Sequence, residues 1–541
     1  MGIAAYVKSF TKGEWWFLVA IAIGVIAVTG LPYVYGCMTA PAGTVYTGLH
    51  HLTPGDTNVF LSMIEQTKQG ENVFINLYTS EPQERLFVNP LWLSVGWIGR
   101  LLGASGLLAL HIARSLLIAG FIFVAYLFIA YFIEKRSYRR WALLLLVFSS
   151  GLGVFFNPFL FDTSNIYEHP TDIWVAESIT FLTLYHSPHL VASLMLIILV
   201  FLLMLFAFST GKFRYSAGAG AACLLLVWFH PFNGPTVFAV LGIYIFAYSI
   251  VKRKIVWSFV RHYVVLGLFA ALPVAYLYWL YRADWVIRSW SSQNILPSPS
   301  VWMYLIGFGA VLLFAIVGAW RVLKKQGSKQ LFIVCWAATS AVLLYVPVDF
   351  QRRLSEGLHV PLALLAFLGI SYAVGRLRET YGADTARVYI LMMLLIVFLP
   401  LTNIQILGQD LYMYSTKKTL PYYLYEGEVE AMHWLRDNAA EREITFSSYY
   451  MGNFIPAYSG RIVWIGHGPQ TIDLPRKKIA SDWFWEADAE ISEKRQFLYD
   501  EGISFVFYGR KEEEIGTFDP DTKPFLEQVF RNEDVSIYRV Q

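Results

Sequence analysis

The sequence predicts a polytopic α-helical membrane bundle of about 11 transmembrane helices, followed by a C-terminal extracytoplasmic α/β domain. Of the 541 residues, 56% are hydrophobic and only 15% are charged, whereas a soluble globular chain carries roughly 25% charged residues. Apolar runs long enough to span a bilayer recur as far as residue 406. Beyond that point the chain becomes acidic, with 15 Lys and Arg against 23 Asp and Glu in residues 410–541.

The change in charge predicts two domains, a transmembrane domain at 1–409 and an outer domain at 410–541. The first carries 27 basic and 16 acidic residues, a net charge of +11, and the second has a net charge of −8. A basic surplus is expected in the cytoplasmic loops of a membrane protein, and an acidic domain repels phosphate backbones. We therefore expect the lipid bilayer as a partner and no nucleic acid. Only three cysteines are present, so no disulfide framework is predicted.

Eleven apolar runs predict the membrane spans. Their bounds are 15–34, 105–133, 141–156, 190–209, 216–230, 235–251, 263–281, 301–320, 331–348, 357–374 and 388–406. The run from 216 to 251 is divided at His230-Pro231-Phe232-Asn233-Gly234-Pro235, and counting it as two spans keeps every Lys and Arg cluster on one side. The positive-inside rule makes that side cytoplasmic.

This topology places the N-terminus in the cytoplasm and residues 410–541 outside, in a multi-pass protein of the cell membrane. The first run favours an uncleaved helix over a signal peptide, because Tyr35 fits a lipoprotein cleavage site before Gly36-Cys37 poorly. The long polar loops then lie outside, the first at 35–104 and the second at 157–189. A protein with its substantial loops and its soluble domain on one side is expected to act on that side.

The outer domain alternates helical and strand-like segments. A helix is predicted at Val429–Asn438, and strands at 444–447, 461–465, 503–508 and 535–540. This alternation favours a mostly parallel, doubly wound sheet. The domain contains no Gly-x-Gly-x-x-Gly or phosphate-loop motif, so nucleotide binding has no support.

Asp56 is the main candidate in the first loop, where it follows His51-Leu52-Thr53-Pro54-Gly55. One interpretation makes it the N-cap of the helical run that begins there, and the other makes it a carboxylate held at the membrane surface. The two are compatible, and His51 is a further candidate. In the second span, His111 and Arg114 share one helix face. An arginine within a span is a functional candidate, with snorkelling to the headgroups as the alternative.

The second loop is acidic and lacks basic residues: no Lys or Arg occurs between Trp141 and Gly211. Asp172 and Glu177 are candidates for a second catalytic acid, and His189 is a further candidate beside them. Residues 172–185 predict an amphipathic helix lying in the membrane interface. A divalent cation, Mg²⁺ or Mn²⁺, is an alternative use of these oxygen and imidazole groups, although no metal signature assigns ligands.

Arginines occur at outer helix ends, where the positive-inside rule predicts few Lys and Arg residues. Arg352 and Arg353 lie in one such segment and Arg282 in the preceding outer loop. The guanidinium fork matches phosphate oxygens, which favours a headgroup-level phosphate site. Pairing with Asp349, Asp284 or lipid headgroups is the alternative. His230, at the break between two spans, is a further candidate.

Several short runs resemble the GT-C superfamily of polyprenyl-phosphate-dependent glycosyltransferases. They are Pro54-Gly55-Asp56, Asn89-Pro90-Leu91-Trp92, Gln351-Arg352-Arg353-Leu354-Ser355-Glu356-Gly357, Tyr458-Ser459-Gly460-Arg461 and Gly466-His467-Gly468. The order of the parts is similar too: a long first outer loop with an early acid, an acidic second loop and a C-terminal outer domain.

The resemblance implies inverting transfer of a sugar from a polyprenyl-phosphate donor to a lipid, glycan or protein acceptor at the outer face. Asp56 would be the general base, with Asp172 or Glu177 as the second acid, because Thr57 stands where many members have an adjacent acid. Asp482-Trp483-Phe484-Trp485 does not reproduce the Trp-Trp-Asp signature of oligosaccharyltransferases, which disfavours transfer to asparagine.

The resemblance also implies that the leaving phosphate binds to arginines, here Arg352, Arg353, Arg114 and Arg282. The rival interpretation is a transporter or flippase of lipid-linked sugars. Such transporters usually contain repeated halves with paired broken helices, and this sequence has no such symmetry.

Overall fold

A computed structural model describes residues 2–52, 54–157, 165–325, 329–381, 399–486 and 490–541. Its longer helices are Lys12–Met38, Pro54–Lys68, Pro90–Leu102, Gly106–Phe132, Arg136–Phe148, Pro188–Thr210, Phe213–Phe229, Asn233–Val251, Trp257–Ala283, Trp285–Gln293, Val301–Lys324, Leu331–Leu343, His359–Tyr381, Leu401–Thr416, Glu426–Asn438, Leu474–Trp485 and Ile491–Asp500. Its short helices are Ile3–Lys8, Gly153–Phe156, Thr171–Trp174, Thr180–His186, Tyr449–Gly452, Ile455–Ser459 and Arg510–Ile515, with 3₁₀ turns at Ile166–Glu168, Gln351–Ser355 and Pro520–Thr522.

Within the described residues, eight helical segments are long and apolar enough to cross a membrane. They are Lys12–Met38, Gly106–Phe132, Arg136–Phe156, Pro188–Thr210, Asn233–Val251, Trp257–Ala283, Val301–Lys324 and Gln351–Glu379, and two shorter apolar helices lie at Phe213–Phe229 and Leu331–Leu343. The eight long segments confirm eight of the predicted spans, and the two shorter helices lie where two more were expected, at 216–230 and 331–348. Of the eleventh, 388–406, the part before residue 399 lies outside the described residues, as do residues 158–164 of the second loop.

The division of the run from 216 to 251 is confirmed. One helix ends at Phe229 and the next begins at Asn233. Pro231 lies in the break, where it needs no helical hydrogen bond for its missing N–H.

The chain forms two compact units. The first, here called the helical unit, comprises Met1–Pro32, Arg114–Leu277 and Ile295–Asp410. The second, here called the mixed unit, comprises Tyr33–Ala113, Tyr278–Asn294 and Leu411–Gln541. The first outer loop therefore folds together with the C-terminal segment. The division into domains 1–409 and 410–541 stays a prediction.

The described residues of the mixed unit form two sheets. Strand β1 (Thr44–Tyr46) pairs antiparallel with β2 (Tyr423–Tyr425), which joins the first loop to the C-terminal segment. The strands of the second sheet are β3 (Ile444–Phe446), β4 (Ile462–Val463), β5 (Ile503–Gly509), β6 (Leu526–Arg531) and β7 (Val535–Val540). Their order in the sheet is β4-β3-β5-β7-β6.

The prediction of a mostly parallel sheet is only half correct. Strand β3 runs parallel to β4 and to β5, but β7 runs antiparallel to both β5 and β6. The sequence analysis missed β6, which forms a hairpin with β7. The turn between them is made by Asn532, whose Oδ1 accepts hydrogen bonds from the backbone N–H groups of Asp534 and Val535 at 3.0 and 2.9 Å.

The predicted amphipathic helix at 172–185 is also wrong. The segment is broken into Thr171–Trp174 and Thr180–His186, and both pieces are buried. The hydroxyls of Ser178 and Thr183 donate to the backbone carbonyls of Val175 and Ala176, at 3.0 and 2.8 Å. Polar side chains that hydrogen-bond to nearby backbone groups compete with the hydrogen bonds of a helix. The alternation of polar and apolar residues at 172–185 therefore belongs to a buried loop and not to an amphipathic helix.

Candidate active site

Asp56 lies in the first turn of the Pro54–Lys68 helix, as its third residue. The N-cap interpretation is therefore wrong. Proline is favoured at the first helical position, because its fixed φ suits the helix and its missing N–H costs nothing there. Thr53, which precedes the helix, lies outside the described residues. A carboxylate in a first turn is still stabilised by the helix dipole.

His467 is the hydrogen-bond partner of Asp56. Its Nε2 lies 3.2 Å from the Asp56 Oδ1, and because a carboxylate only accepts, Nε2–H is the donor. The His467 side chain is 8% exposed and that of Asp56 is 47% exposed. His467 is thus buried, whereas the Asp56 carboxylate is half exposed and accessible to a reactant.

The loop after β4 holds His467 in place. The backbone N–H of Thr471 donates to the His467 carbonyl at 2.9 Å, and the Thr471 hydroxyl accepts from the Gly466 N–H at 3.1 Å. The same hydroxyl donates to the Tyr78 carbonyl at 2.9 Å, and the Tyr78 ring packs edge-on against the imidazole. A fixed imidazole in turn fixes the carboxylate that it bonds.

A cavity of about 380 Å³ opens beside this pair. All of its lining residues belong to the mixed unit: Leu49, Gly55, Asp56, Asn58, Pro421, Tyr449, Tyr450, Asn453, Phe454, His467, Gly468 and Pro469. Its volume falls in the lower part of the range of ligand pockets, ~300 to 1,000 Å³. Here and below it is called the Asp56 cavity.

Sequence reasoning did not name His467 as a candidate. The available signal was its position, because Gly466-His467-Gly468 comes directly after the predicted strand 461–465. Loops at strand ends are frequent positions for functional side chains. The residues around His467 do not indicate that it pairs with Asp56, which lies 411 positions away in the chain.

Arg352 and Arg353 lie in the helical unit, in the 3₁₀ turn Gln351–Ser355. The Arg352 Nη2 lies 3.7 Å from the Glu177 Oε1, and its guanidinium lies 5.0 Å from the centre of the Trp174 ring. The Arg353 guanidinium lies 4.1 Å from the centre of the Phe232 ring. Stacking of this kind orients a guanidinium, and the fork of N–H groups on a guanidinium matches the oxygens of an anion.

The structure brings Glu177 to Arg352. Burial raises the pKa of the Glu177 carboxyl, but Arg352, a backbone N–H, Arg353 and His186 together hold it below its usual value. The carboxylate is therefore ionised at neutral pH. A proton-donating role does not suit such a group, whereas orienting Arg352 does.

A polar cluster surrounds the break between two helices of the helical unit. The Glu356 Oε2 lies 3.1 Å from the His230 Nδ1 and accepts from the Asn233 Nδ2 at 2.8 Å. His189 packs edge-on against His230, with ring centres 5.5 Å apart, and its Nδ1 lies 2.6 Å from the Ser187 hydroxyl. The candidates His189 and His230 are thus neighbours.

The remaining candidates have other surroundings. Arg114 is buried and donates to the backbone carbonyls of Tyr185 and Thr29, at 2.7 and 3.3 Å. Arg282 is exposed in the mixed unit. The His111 ring lies 4.5 Å from that of Tyr33, and His51 is half-buried.

Asp172 is fully buried in the helical unit. Its Oδ2 accepts hydrogen bonds from the backbone N–H groups of Gly151 and Gly153, each at 3.0 Å. Burial raises the pKa of Asp172 to about 7, against the smaller opposite effect of its hydrogen bonds. The Asp172 side chain thus binds the non-helical backbone that follows the Arg136–Phe148 helix.

We expect Asp172→Asn to abolish one pH dependence of stability. Between about pH 4 and the folded pKa of about 7, the folded protein keeps a proton that the unfolded chain releases. Stability conferred by that proton is lost as the pH rises through this window. Thermal unfolding in lipid nanodiscs should show this decline in wild type and not in Asp172→Asn, while Asp172→Ala should lose about 1 to 3 kcal/mol because two N–H groups lose their acceptor. Equal slopes in wild type and Asp172→Asn would contradict the assignment.

Among the described residues, no group of three or more His, Cys, Asp and Glu side chains is placed to hold a metal ion. The Asp56–His467 pair offers two such groups. A role for Mg²⁺ or Mn²⁺ stays a prediction.

No family model and no curated protein matches the chain. Solved structures do match. The apo form of the oligosaccharyltransferase AglB from Archaeoglobus fulgidus is 14% identical, with 90% of this chain and 69% of that chain covered and a TM-score of 0.53. ArnT from Cupriavidus metallidurans in the apo state is 11% identical, with 96% and 98% covered and a TM-score of 0.52.

A third match is the mycobacterial arabinofuranosyltransferase AftD, as its R1389S mutant. It is 14% identical and has a TM-score of 0.51, with 98% of this chain and 42% of that chain covered. Together with the apolar helices, these likenesses make the chain a multi-pass membrane protein. Because three different glycosyltransferases of one architecture match over at least nine tenths of the chain, the protein has the GT-C fold.

Proposed function

We propose that the protein is a glycosyltransferase that moves a sugar from a polyprenyl-phosphate donor to an acceptor hydroxyl, with Asp56 as the general base. The observation that carries the proposal is the half-exposed Asp56 carboxylate, fixed by His467 and open to the Asp56 cavity. General bases must lie within hydrogen-bond reach of the proton that they accept. An exposed carboxylate on a cavity wall meets this requirement.

The donor half of the proposal is supported by two kinds of observation. ArnT has been solved with undecaprenyl phosphate, and AglB with a dolichol-phosphate. In this chain, Arg352 and Arg353 form a basic turn, with Arg353 stacked on Phe232. Guanidinium groups bind phosphate oxygens and offset the charge that a departing phosphate gains.

The proposed reaction is a single displacement. The acceptor oxygen forms a bond to the anomeric carbon of the sugar as the bond from that carbon to the phosphate oxygen breaks. The phosphate keeps the electron pair, and Asp56 takes the proton of the acceptor hydroxyl. One displacement inverts the anomeric configuration.

The other polar residues receive supporting roles in this proposal. Glu177 orients Arg352 through their contact at 3.7 Å. Asp172 holds Gly151 and Gly153. Arg114 links the Lys12–Met38 and Thr180–His186 helices through the backbone carbonyls of Thr29 and Tyr185. The expected topology, with the N-terminus in the cytoplasm of a cell-membrane protein, places the reaction at the outer face.

The experiment that tests the proposal is turnover of a panel of polyprenyl-phosphate sugars by the full-length protein in lipid nanodiscs, with a native lipid and glycan extract as acceptor. We expect release of polyprenyl phosphate from one donor of the panel. If no donor is cleaved but a lipid-linked sugar crosses the bilayer of proteoliposomes, the transporter interpretation replaces the proposal.

His467 is proposed as a positioning residue for Asp56. We expect His467→Ala to lower the transfer rate by about 10- to 150-fold, since a hydrogen bond to a charged group contributes about 1.5 to 3 kcal/mol. His467→Gln, which keeps a side-chain N–H donor, should restore most of the rate. Equal losses in His467→Ala and His467→Gln would mean that His467 does not act through a hydrogen bond to Asp56.

A further inference from the structure

His467 is carried by a loop whose backbone is held by side chains from other segments of the mixed unit. The loop comprises residues 466–473 and is here called the His467 loop. The first outer loop supplies part of this support, since the backbone N–H of Ile472 donates to the Thr79 hydroxyl at 3.2 Å. The position of the imidazole therefore depends on bonds made well beyond its own side chain.

Gln293 supplies three further hydrogen bonds to the His467 loop. Its Nε2 donates to the backbone carbonyls of Pro469 and Thr471, each at 3.2 Å. Its Oε1 accepts from the backbone N–H of Asp473 at 3.3 Å, a bond that does not involve the Asp473 side chain. One amide side chain thus uses both its donor group and its acceptor on a single loop.

The helix that carries Gln293 has a fixed start. Gln293 is the last residue of the Trp285–Gln293 helix, which follows the N-cap Asp284. The Asp284 Oδ1 accepts from the backbone N–H groups of Val286 and Ile287, at 2.8 and 3.3 Å, which stabilises the first turn. Val286 is fully buried. A capped and anchored helix holds its last residue in a defined position.

We infer that Gln293 is a positioning residue for the Asp56–His467 pair. It fixes the backbone of the His467 loop, and the imidazole of that loop fixes the Asp56 carboxylate through the contact at 3.2 Å. The inference rests on the proposed function, because the pair serves transfer only if Asp56 is the base. It deepens that function by giving the Trp285–Gln293 helix a part in holding the base, and small displacements of a reacting group lower a rate substantially.

The contacts of Gln293 require an amide and not merely a side chain of its size. Its NH₂ group meets two carbonyl oxygens, which only accept hydrogen bonds. In Gln293→Glu, a carboxylate oxygen would face the carbonyls of Pro469 and Thr471, so two donors would be lost and replaced by repulsion. This substitution therefore separates the hydrogen bonds from the space that the side chain fills.

The first test is hydrogen–deuterium exchange of the full-length protein in lipid nanodiscs, read by mass spectrometry. We expect Gln293→Ala and Gln293→Glu to exchange the amides of the His467 loop about three- to tenfold faster than wild type, the effect of losing an ordinary hydrogen bond. The strand Val535–Val540 should exchange as in wild type, because the second sheet does not depend on Gln293. This measurement needs no donor and no turnover.

The second test is the rate of polyprenyl-phosphate release in a double-mutant cycle with His467→Ala. Gln293→Ala alone should lower the rate about three- to tenfold, which is less than the loss in His467→Ala. In the His467→Ala background, Gln293→Ala should lower the rate no further, because a residue that acts through the imidazole has no effect once the imidazole is gone. A general structural role would lower the rate by the same factor in both backgrounds.

Ser292→Ala is the matched control. Ser292 precedes Gln293 on the same helix and is exposed, and its hydroxyl donates to the Ser289 carbonyl within that helix at 2.8 Å. Its substitution should leave both the exchange of the His467 loop and the rate unchanged.

Three results would overturn the inference: unchanged exchange of the His467 loop in Gln293→Ala, wild-type behaviour of Gln293→Glu, or equal rate losses from Gln293→Ala with and without His467. Failure of the proposed function gives a different result. The His467 loop would then exchange faster in both Gln293 variants, while wild type releases no polyprenyl phosphate from any donor.

Discussion

Asp56→Asn is expected to lower the rate of polyprenyl-phosphate release by about 10² to 10⁴, the contribution of a positioned general base. The substitution keeps the size of the side chain and an oxygen that can accept from His467 Nε2–H. It removes the negative charge that takes the proton from the acceptor hydroxyl. The measurement is release of polyprenyl phosphate by wild type and variant in nanodiscs under single-turnover conditions.

The control for this prediction is Asp473→Asn. Asp473 lies in the mixed unit as an exposed acid, with its Oδ2 3.1 Å from the Arg476 Nε, and it does not line the Asp56 cavity. Its substitution should leave the rate within about twofold, since surface ion pairs contribute at most about 1 kcal/mol. If Asp56→Asn folds normally and keeps the wild-type rate, Asp56 is not the base.

Arg353→Gln is the second substitution with a large expected effect. Its guanidinium is stacked on Phe232, and in the proposed reaction it stabilises the charge that develops on the leaving phosphate. Loss of one such electrostatic group typically costs about 10² to 10³ in rate. Arg353→Lys should recover part of the rate, because Lys keeps the charge and loses the planar fork.

Arg353 is preferred to Arg352 for this test because Arg352 contacts Glu177 at 3.7 Å. Removal of Arg352 would leave a buried carboxylate without its cation, which destabilises the fold and confuses the result. Arg376→Gln is the control, since Arg376 is exposed and pairs with Glu379 on the surface. Equal rates for Arg353→Gln and Arg376→Gln would contradict a phosphate-binding role for Arg353.

The membrane helices were predictable from the sequence because each depends on a local property. An apolar run must be about 20 residues long to cross a bilayer, and the break at His230-Pro231 depends on one proline. The structure accordingly has helices at Phe213–Phe229 and Asn233–Val251, where two spans were expected.

The features that sequence reasoning missed depend on contacts between distant residues or on burial. The hairpin of β6 and β7 was missed because the alternating helices and strands before it favoured parallel pairing. Asp172 was expected in an interfacial helix, but it is buried and bound to Gly151 and Gly153. Charged residues are usually exposed. The sequence therefore gives no indication that an acid such as Asp172 is buried with hydrogen bonds to the backbone.

The candidate site was predictable in part. Asp56 was singled out from its position after Pro54-Gly55, although its helix begins two residues earlier than the N-cap interpretation required. His467 gained its importance from the fold, which places it beside Asp56 on the wall of the Asp56 cavity. Arg114, in contrast, was selected as an arginine in a membrane span, and its hydrogen bonds to backbone carbonyls now favour a structural role.

The most direct test of glycosyl transfer follows the anomeric carbon itself. A polyprenyl-phosphate sugar labelled with carbon-13 at C1 is incubated with the protein in nanodiscs and the acceptor extract, and the labelled carbon is observed by NMR. We expect the label to leave the phosphate and to appear in a new glycosidic bond of the opposite anomeric configuration. A label that stays on the phosphate, or a product that retains the donor configuration, would contradict this expectation.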